Sequence, residues 1–140
     1  MQIYGLSINF DYDSTKEYRF KYESQCDCAY CRNYYKEFKK KHLETSKFLE
    51  EFGLDIKFPL EIMPLLYDQK NNIMEYISYY PVKGTIDGNK IVLNLEKLEV
   101  RVLKGSDLNN PCPNPKMEEP YLLIEISGVN LPWTLDEDIE

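Results

Sequence analysis

The chain has 140 residues and a formal net charge of −7, from 17 Lys and Arg against 24 Asp and Glu. A chain of this length buries roughly two-thirds of the surface its unfolded form exposes, which suffices for one domain whose core needs no cross-links. A hydrophobic fraction of 43% and a charged fraction of 29% exclude a disordered or collagen-like chain. No apolar run approaches the ~18 residues of a membrane span, and the negative charge opposes nonspecific binding to nucleic acid or anionic membrane. The opening Met1 to Leu6 has neither the cationic region nor the apolar stretch of a signal peptide. A cytoplasmic protein is therefore expected, in which thiols stay reduced and clustered cysteines point to metal, redox chemistry or packing rather than disulfides.

In chain order, Tyr4, Leu6, Ile8 and Phe10 alternate with small polar residues, and Tyr18, Phe20 and Tyr22 alternate with charged ones. Period 2 predicts two strands, and Asp11 to Thr15 between them predicts the turn of an N-terminal hairpin. The period then changes: Cys31, Tyr35, Phe38, His42, Thr45, Leu49 and Phe52 recur at spacings of 3 and 4, the signature of a helical region over about 29–52. Thr45-Ser46 predicts a fresh N-cap, dividing the region into a helix to about Lys41 and a shorter one from about Lys47 to Phe52. Gly53 reads as a left-handed C-terminal cap with Leu54 packed back on the last turn.

From Leu60 on, short β-type runs return. Pro64 confines the first to an edge or a break, Ile73 to Val82 is rich in aromatic and β-branched residues, and Asp87-Gly88-Asn89 is a turn. The apolar set then shifts from odd positions (Ile91, Leu93, Leu95) to even ones (Leu98, Val100, Val102), which predicts a bulge or tight turn near Glu96-Lys97. Asn109 to Pro115 is a proline-rich loop, Leu122, Ile124 and Ile126 form a last strand, and an acidic tail runs from Leu131 to Glu140. The expected architecture is α+β: an antiparallel sheet or sandwich of about six strands, with the helical segment inserted after the N-terminal hairpin. Residues 1–130 form one domain and 131–140 the tail, which carries Asp136, Glu137, Asp138 and Glu140; without those four the net charge is −3.

Three of the four cysteines, Cys26, Cys28 and Cys31, fall within six residues at the entry to the helical region. Unpaired backbone N–H groups and the helix dipole favour a thiolate there, at Cys28 or Cys31. The C-x-x-C half has both zinc-knuckle and dithiol spacing, and C-x-C adds a third sulfur for a tetrahedral site. A fourth ligand has to come from Cys112, since His42 lies about three turns along the helix. The bland reading is that the cysteines are small packed hydrophobes. His42, the single histidine, sits beside Lys39, Lys40 and Lys41 and reads as a surface or partly packed residue rather than a base. The lysine run from Lys36 to Lys47 reads as a solvated face, or as a contact for an acidic partner or the protein's own tail. The twelve tyrosines concentrate at Tyr30, Tyr34, Tyr35 and at Tyr76, Tyr79, Tyr80. Exposed together, the second group would make an aromatic sugar- or peptide-binding module. Neither Glu50-Glu51 nor Glu118-Glu119 places two carboxylates on one face, and no glycine-rich phosphate loop occurs.

The segments Cys26-Asp27-Cys28-Ala29-Tyr30-Cys31-Arg32-Asn33-Tyr34, Phe48 to Asp55 and Leu131-Pro132-Trp133-Thr134-Leu135-Asp136-Glu137 resemble a group of small bacterial proteins. That group shares a Cys-x-Cys-x-x-Cys-Arg-Asn opening and a Leu-Pro-Trp-x-Leu-Asp-Glu tail and has no established activity. The resemblance implies that the cysteines, with Arg32 and Asn33 as supports, form a characteristic unit. Arg32 suits a bidentate carboxylate and Asn33 suits helix-start backbone groups. The functional expectation is a non-enzymatic binding or interaction domain for a protein partner, with a cysteine cluster that takes zinc. The alternatives are a thiol-dependent redox or transfer enzyme using Cys28 and Cys31, or the aromatic binding module.

Overall fold

The computed structural model describes residues 2–3, 6–21, 26–105 and 116–139. Its elements are β1 (Gln2–Ile3), β2 (Leu6–Phe10), α1 (Tyr12–Lys21), α2 (Ala29–Lys41), α3 (Leu43–Glu51), β3 (Glu61–Asp68), β4 (Ile73–Ile86), β5 (Lys90–Leu95), β6 (Leu98–Lys104) and β7 (Tyr121–Pro132). The fold is α+β, as expected, and every strand pairing is antiparallel. The strands lie in one sheet of order β1-β2-β4-β7-β6-β5, with β3 also paired to β4, so the two-sheet sandwich does not form. Only Asp87 to Asn89 joins β4 to β5, three places over in the sheet. Three strand spacings amount to about 14 Å, the full reach of four extended residues, so the sheet has to curl. Among the described residues no helix is long and apolar enough to cross a membrane.

β4 is the spine. β7 runs along one edge, while β3 (to Tyr79) and β2 (from Gly84) share the other. In the gap between those two partners Pro81 presents its missing N–H, which is why a central strand tolerates a proline there. Next to it, the Lys83 N–H donates to Thr15 Oγ1 (3.0 Å) and the Lys83 carbonyl accepts from the Asp11 N–H (2.8 Å). These contacts account for the main departure from the sequence expectation. The segment read as the second hairpin strand is helix α1, because the Asp11 carboxylate caps it, accepting from the Ser14 N–H (3.0 Å) and Ser14 Oγ (2.9 Å). An Asp-x-x-Ser that suits a turn suits an N-cap equally, and β2, beside which the second hairpin strand would lie, already has β1 and β4 as partners.

The other local signals hold. β3 is an edge strand with an irregularity between Pro64 and Leu66. Leu95 and Leu98 pair across a two-residue turn whose central residues, Glu96 and Lys97, both have positive φ (50° and 67°). Gly53 has φ +89°; the Leu54 N–H donates to the Leu49 carbonyl (3.2 Å) and the Gly53 N–H to the Glu50 carbonyl (3.0 Å), the paired bonds of a Schellman cap. A side chain at Gly53 would also collide with the Tyr12 carbonyl. The helical region breaks at His42, and α3 starts at Leu43 rather than near Lys47. β7 does not stop before Gly128. Gly128 (φ +77°) absorbs a bulge opposite Ile77, and the strand continues to Pro132. Leu131 and Trp133, expected in the tail, are therefore buried.

The helices cover one face of the sheet. Tyr34, Phe38, Leu49 and Phe52 meet Tyr76, Tyr80, Val82, Val100, Ile124 and Ile126 in a single core. Leu60, Tyr79 and Leu123 form a smaller cluster of their own. Tyr76, Tyr79 and Tyr80 are all at most 4% exposed, so they offer no aromatic recognition surface. Alternation turns Tyr76 and Tyr80 inward, where hydroxyls satisfy one another: Tyr34 with Ser78 (2.9 Å) and with Tyr80 (2.7 Å), and Tyr80 donating to the Ile56 carbonyl (2.9 Å).

Candidate metal centre

The cysteines occupy the entry to α2. Cys28 is its N-cap, extended at φ −72° and ψ 165°, with its carbonyl accepting the Arg32 N–H at 2.9 Å. One helical turn later Cys31 faces back toward it, and Cys26 completes the cluster from the approaching chain. All three sulfurs lie within 4.8 Å of one another, and Cys26 Sγ to Cys28 Sγ is 3.2 Å. Sulfurs around a tetrahedral zinc with bonds of about 2.3 Å are about 3.8 Å apart, so the cluster already has the dimensions of a three-thiolate face. Cys26 and Cys28 are exposed, whereas Cys31 is 3% exposed. Cys112 lies outside the described residues. His42, eleven residues beyond Cys31, is about 16 Å along the helix and takes no part in the cluster.

The three thiols differ electrostatically. Burial works to raise the Cys28 thiol, but the Cys31 N–H, the neighbouring thiols and the Tyr30 N–H outweigh it, so its pKa is lowered. Cys31 moves far the other way, pushed up by burial and by hydrogen bonding and charge repulsion from Cys26 and Cys28. In a metal-free cluster the exposed Cys28 thiol therefore gives up its proton more readily than the buried Cys31 thiol. Gathering three thiolates here needs a cation.

Around the sulfurs a polar frame ties the helix start to the end of the chain. The Arg32 guanidinium spans Asp27 and Glu137: its Nε donates to the Asp27 carbonyl (3.0 Å), and its two terminal nitrogens hold the Glu137 carboxylate bidentately, one bond being 2.9 Å. Arg32 bonding and charge lower the Glu137 pKa. Asn33 serves the exit from β7 rather than the helix start. Its Nδ2 donates to the Pro132 carbonyl (3.1 Å) and its Oδ1 accepts from the Thr134 N–H (3.0 Å). Lys36 and Lys41 of the lysine run donate to the Thr134 and Asn130 carbonyls, so part of that run clamps the C-terminal segment. The Trp133 indole donates to the Glu137 carbonyl (2.8 Å), closing the segment on itself.

Two contacts had no counterpart in the sequence reading. Tyr35 donates its hydroxyl to the Cys26 carbonyl (3.0 Å), and Tyr76 donates to the Tyr30 carbonyl (2.9 Å). Tyr35 shares the Cys31 face of α2 at i+4, a signal the sequence contains; Tyr76 comes from β4, and nothing local announces it. His42 is buried rather than on the surface, 4% exposed and packed on Phe38 with ring centroids 5.4 Å apart. The cap that α3 needs comes from Glu96 in the β5–β6 turn, whose Oε1 accepts the Thr45 N–H (2.7 Å) and Oγ1 (2.9 Å). Comparison of the chain with protein-family models, with curated proteins and with solved structures finds no match.

Proposed function

We propose that the chain is a non-enzymatic binding domain in which Cys26, Cys28 and Cys31 hold a zinc ion, with Cys112 as the fourth ligand. The observation that carries this reading is the convergence of three sulfurs within 4.8 Å at a helix N-terminus. The ion would neutralise the thiolates that burial and mutual repulsion otherwise oppose, and would fasten the chain before α2 to its first turn. Because thiols lose protons on binding, affinity rises with pH. The frame from Arg32 to Glu137 fixes the knuckle against the C-terminal segment, which favours a structural role for the ion. Native mass spectrometry before and after denaturation is the direct test. One zinc per folded chain, lost on denaturation and absent from Cys31→Ser, is the expected result, with a marked fall in melting temperature on chelation. Protein that carries no metal and ignores chelator overturns it. Undiminished affinity in Cys112→Ser removes the fourth ligand.

The opposed pKa directions of Cys28 and Cys31 favour a second reading, dithiol-disulfide exchange. The exposed Cys28 thiolate would attack a substrate disulfide, releasing one substrate thiolate. Cys31, losing its proton, would then attack Cys28 and release the other, so the substrate is reduced and a Cys28–Cys31 disulfide forms. In metal-free protein Cys28 would then alkylate fastest and at lower pH than an ordinary thiol. Equal inertness of all the cysteines sinks this reading.

A further inference from the structure

An open cleft lies where the three helices meet, beside the cysteine knuckle but outside it. Its volume is about 610 Å³, within the range of small-molecule sites. Lys16 of α1, Lys39 of α2 and Lys57 after α3 face it, against the carboxylates of Glu50 and Asp55. A cationic excess in a chain of net charge −7 is a local reversal of sign. Glu50 pairs with Lys39 (3.2 Å), which leaves Lys16 and Lys57 against Asp55, whose carboxylate accepts the Lys57 backbone N–H at 2.9 Å.

The cleft also contains ring surface. Tyr12 is 44% exposed, one of the few large hydrophobic side chains left open, and the Lys16 ammonium lies 5.9 Å from its ring centroid. Lys16 makes no ion pair among the described residues. Tyr35 lends its ring to the same cleft, held in orientation by its hydroxyl bond to the Cys26 carbonyl. Gly53 lets the end of α3 approach α1 so closely that a side chain there would meet the Tyr12 carbonyl at 2.7 Å, so the wall is built tight where a ligand's edge would rest.

We infer that this cleft is a binding site for a small planar anion, a ring carrying phosphate or carboxylate, with the ring against Tyr12 and Tyr35 and the charge between Lys16 and Lys57. An exposed ring beside an ammonium offers stacking and charge pairing to one molecule at once, which neither an isolated anion nor a neutral ring can exploit in full. The inference does not rest on the metal reading.

Isothermal titration of the full chain as purified tests it, with AMP as the probe and adenosine and inorganic phosphate as its two halves. The expected result is saturable AMP binding, with each half at least about tenfold weaker. Lys16→Ala, Lys57→Ala and Tyr12→Ala each weaken AMP by about fivefold or more, as partly exposed contacts do, while Lys104→Ala, on β6 and outside the cleft lining, changes nothing. No saturation at millimolar AMP overturns the inference. So does AMP binding indifferent to all three substitutions, the pattern of a nucleotide held on a knuckle-bound metal. Phosphate binding as tightly as AMP overturns the planar ligand, leaving a simple anion site.

Discussion

The two ends of α2 solve the same problem with opposite means. Both must anchor a helix terminus to chain far away in sequence. The N-terminal end does so largely in the open, through exposed thiols and the Arg32–Glu137 pair, with only Asn33 buried on the β7 exit among these contacts. The other end does so inside the core: His42 turns at φ −125° and ψ 59°, its N–H closing α2 on Phe38 and its carbonyl opening α3 to Ser46. Glu96 reaches in from a hairpin to cap Thr45. Among the described residues, neither ring nitrogen of His42 nor Ser46 Oγ has a hydrogen-bond partner. An exposed anchor responds to metal, thiol chemistry and salt, whereas a buried one responds to packing and protonation.

Substitutions can break this contrast in graded steps. The largest effect belongs to Trp133→Ala, which empties a buried site where the C-terminal segment meets α2 and should cost about 3–5 kcal/mol in urea unfolding. A loss below 1 kcal/mol would show that the polar frame holds the segment without its apolar anchor. Glu96→Ala should cost about 1–2 kcal/mol, because the Thr45 N–H and hydroxyl lose their acceptor. Its neighbour Lys97→Gly, which relieves positive φ without touching the cap, should stabilise by about 0.5–1 kcal/mol. Opposite signs within one turn would separate capping from strain.

His42 makes the buried end pH-sensitive. Burial, and then the Lys41 charge, hold its pKa below the ordinary 6.5, with Glu96 opposing. Among the described groups that act on it, Glu96 favours protonation and Lys41 opposes it. The unfolded chain therefore binds the proton more readily, so this contribution to stability is complete above about pH 6.5 and is lost as pH falls through the lowered folded value. His42→Leu should flatten that part of the stability curve and, by removing two unpaired nitrogens, leave stability at pH 7.5 unchanged or slightly higher. An unaltered slope would place the sensitivity elsewhere. The smallest effect is expected at the exposed anchor: Glu137→Gln should shift the melting temperature slightly at low salt and not at all at high salt. A large, salt-independent loss would mean that the Arg32 pair is a structural pillar.

Much of the scaffold is legible one segment at a time. The 3- and 4-residue spacing of Cys31 to Phe52, the Gly53 cap, the edge placement of Pro64 and the turn at Glu96-Lys97 all depend on side-chain period or backbone conformation within a few residues. Segments that misled did so where two local solutions are equally good. Asp11-x-x-Ser14 caps a helix as readily as it makes a turn, and the pairing of β2 with β1 and β4 decided for the helix. Gly128 can end a strand or bulge it, and β4 opposite decided for the bulge. The cysteine cluster sits between these cases, since the spacing from Cys26 to Cys31 announces it, while its frame is not announced.

What the amino-acid sequence determined by itself is the set of elements whose hydrogen bonds close locally, together with the thiols brought to one helix start. The tertiary structure alone decided which polar groups meet: Arg32 with Glu137 across 105 residues, Thr45 with Glu96, the His42 ring with no hydrogen-bond partner among the described residues, and Tyr76 and Tyr80 of β4 turned inward. The reason is physical. A period or a cap is a property of neighbouring backbone, but a partner for a buried polar group exists only after two distant surfaces have packed, and that packing is driven by apolar area that carries no label for the polar pair it encloses.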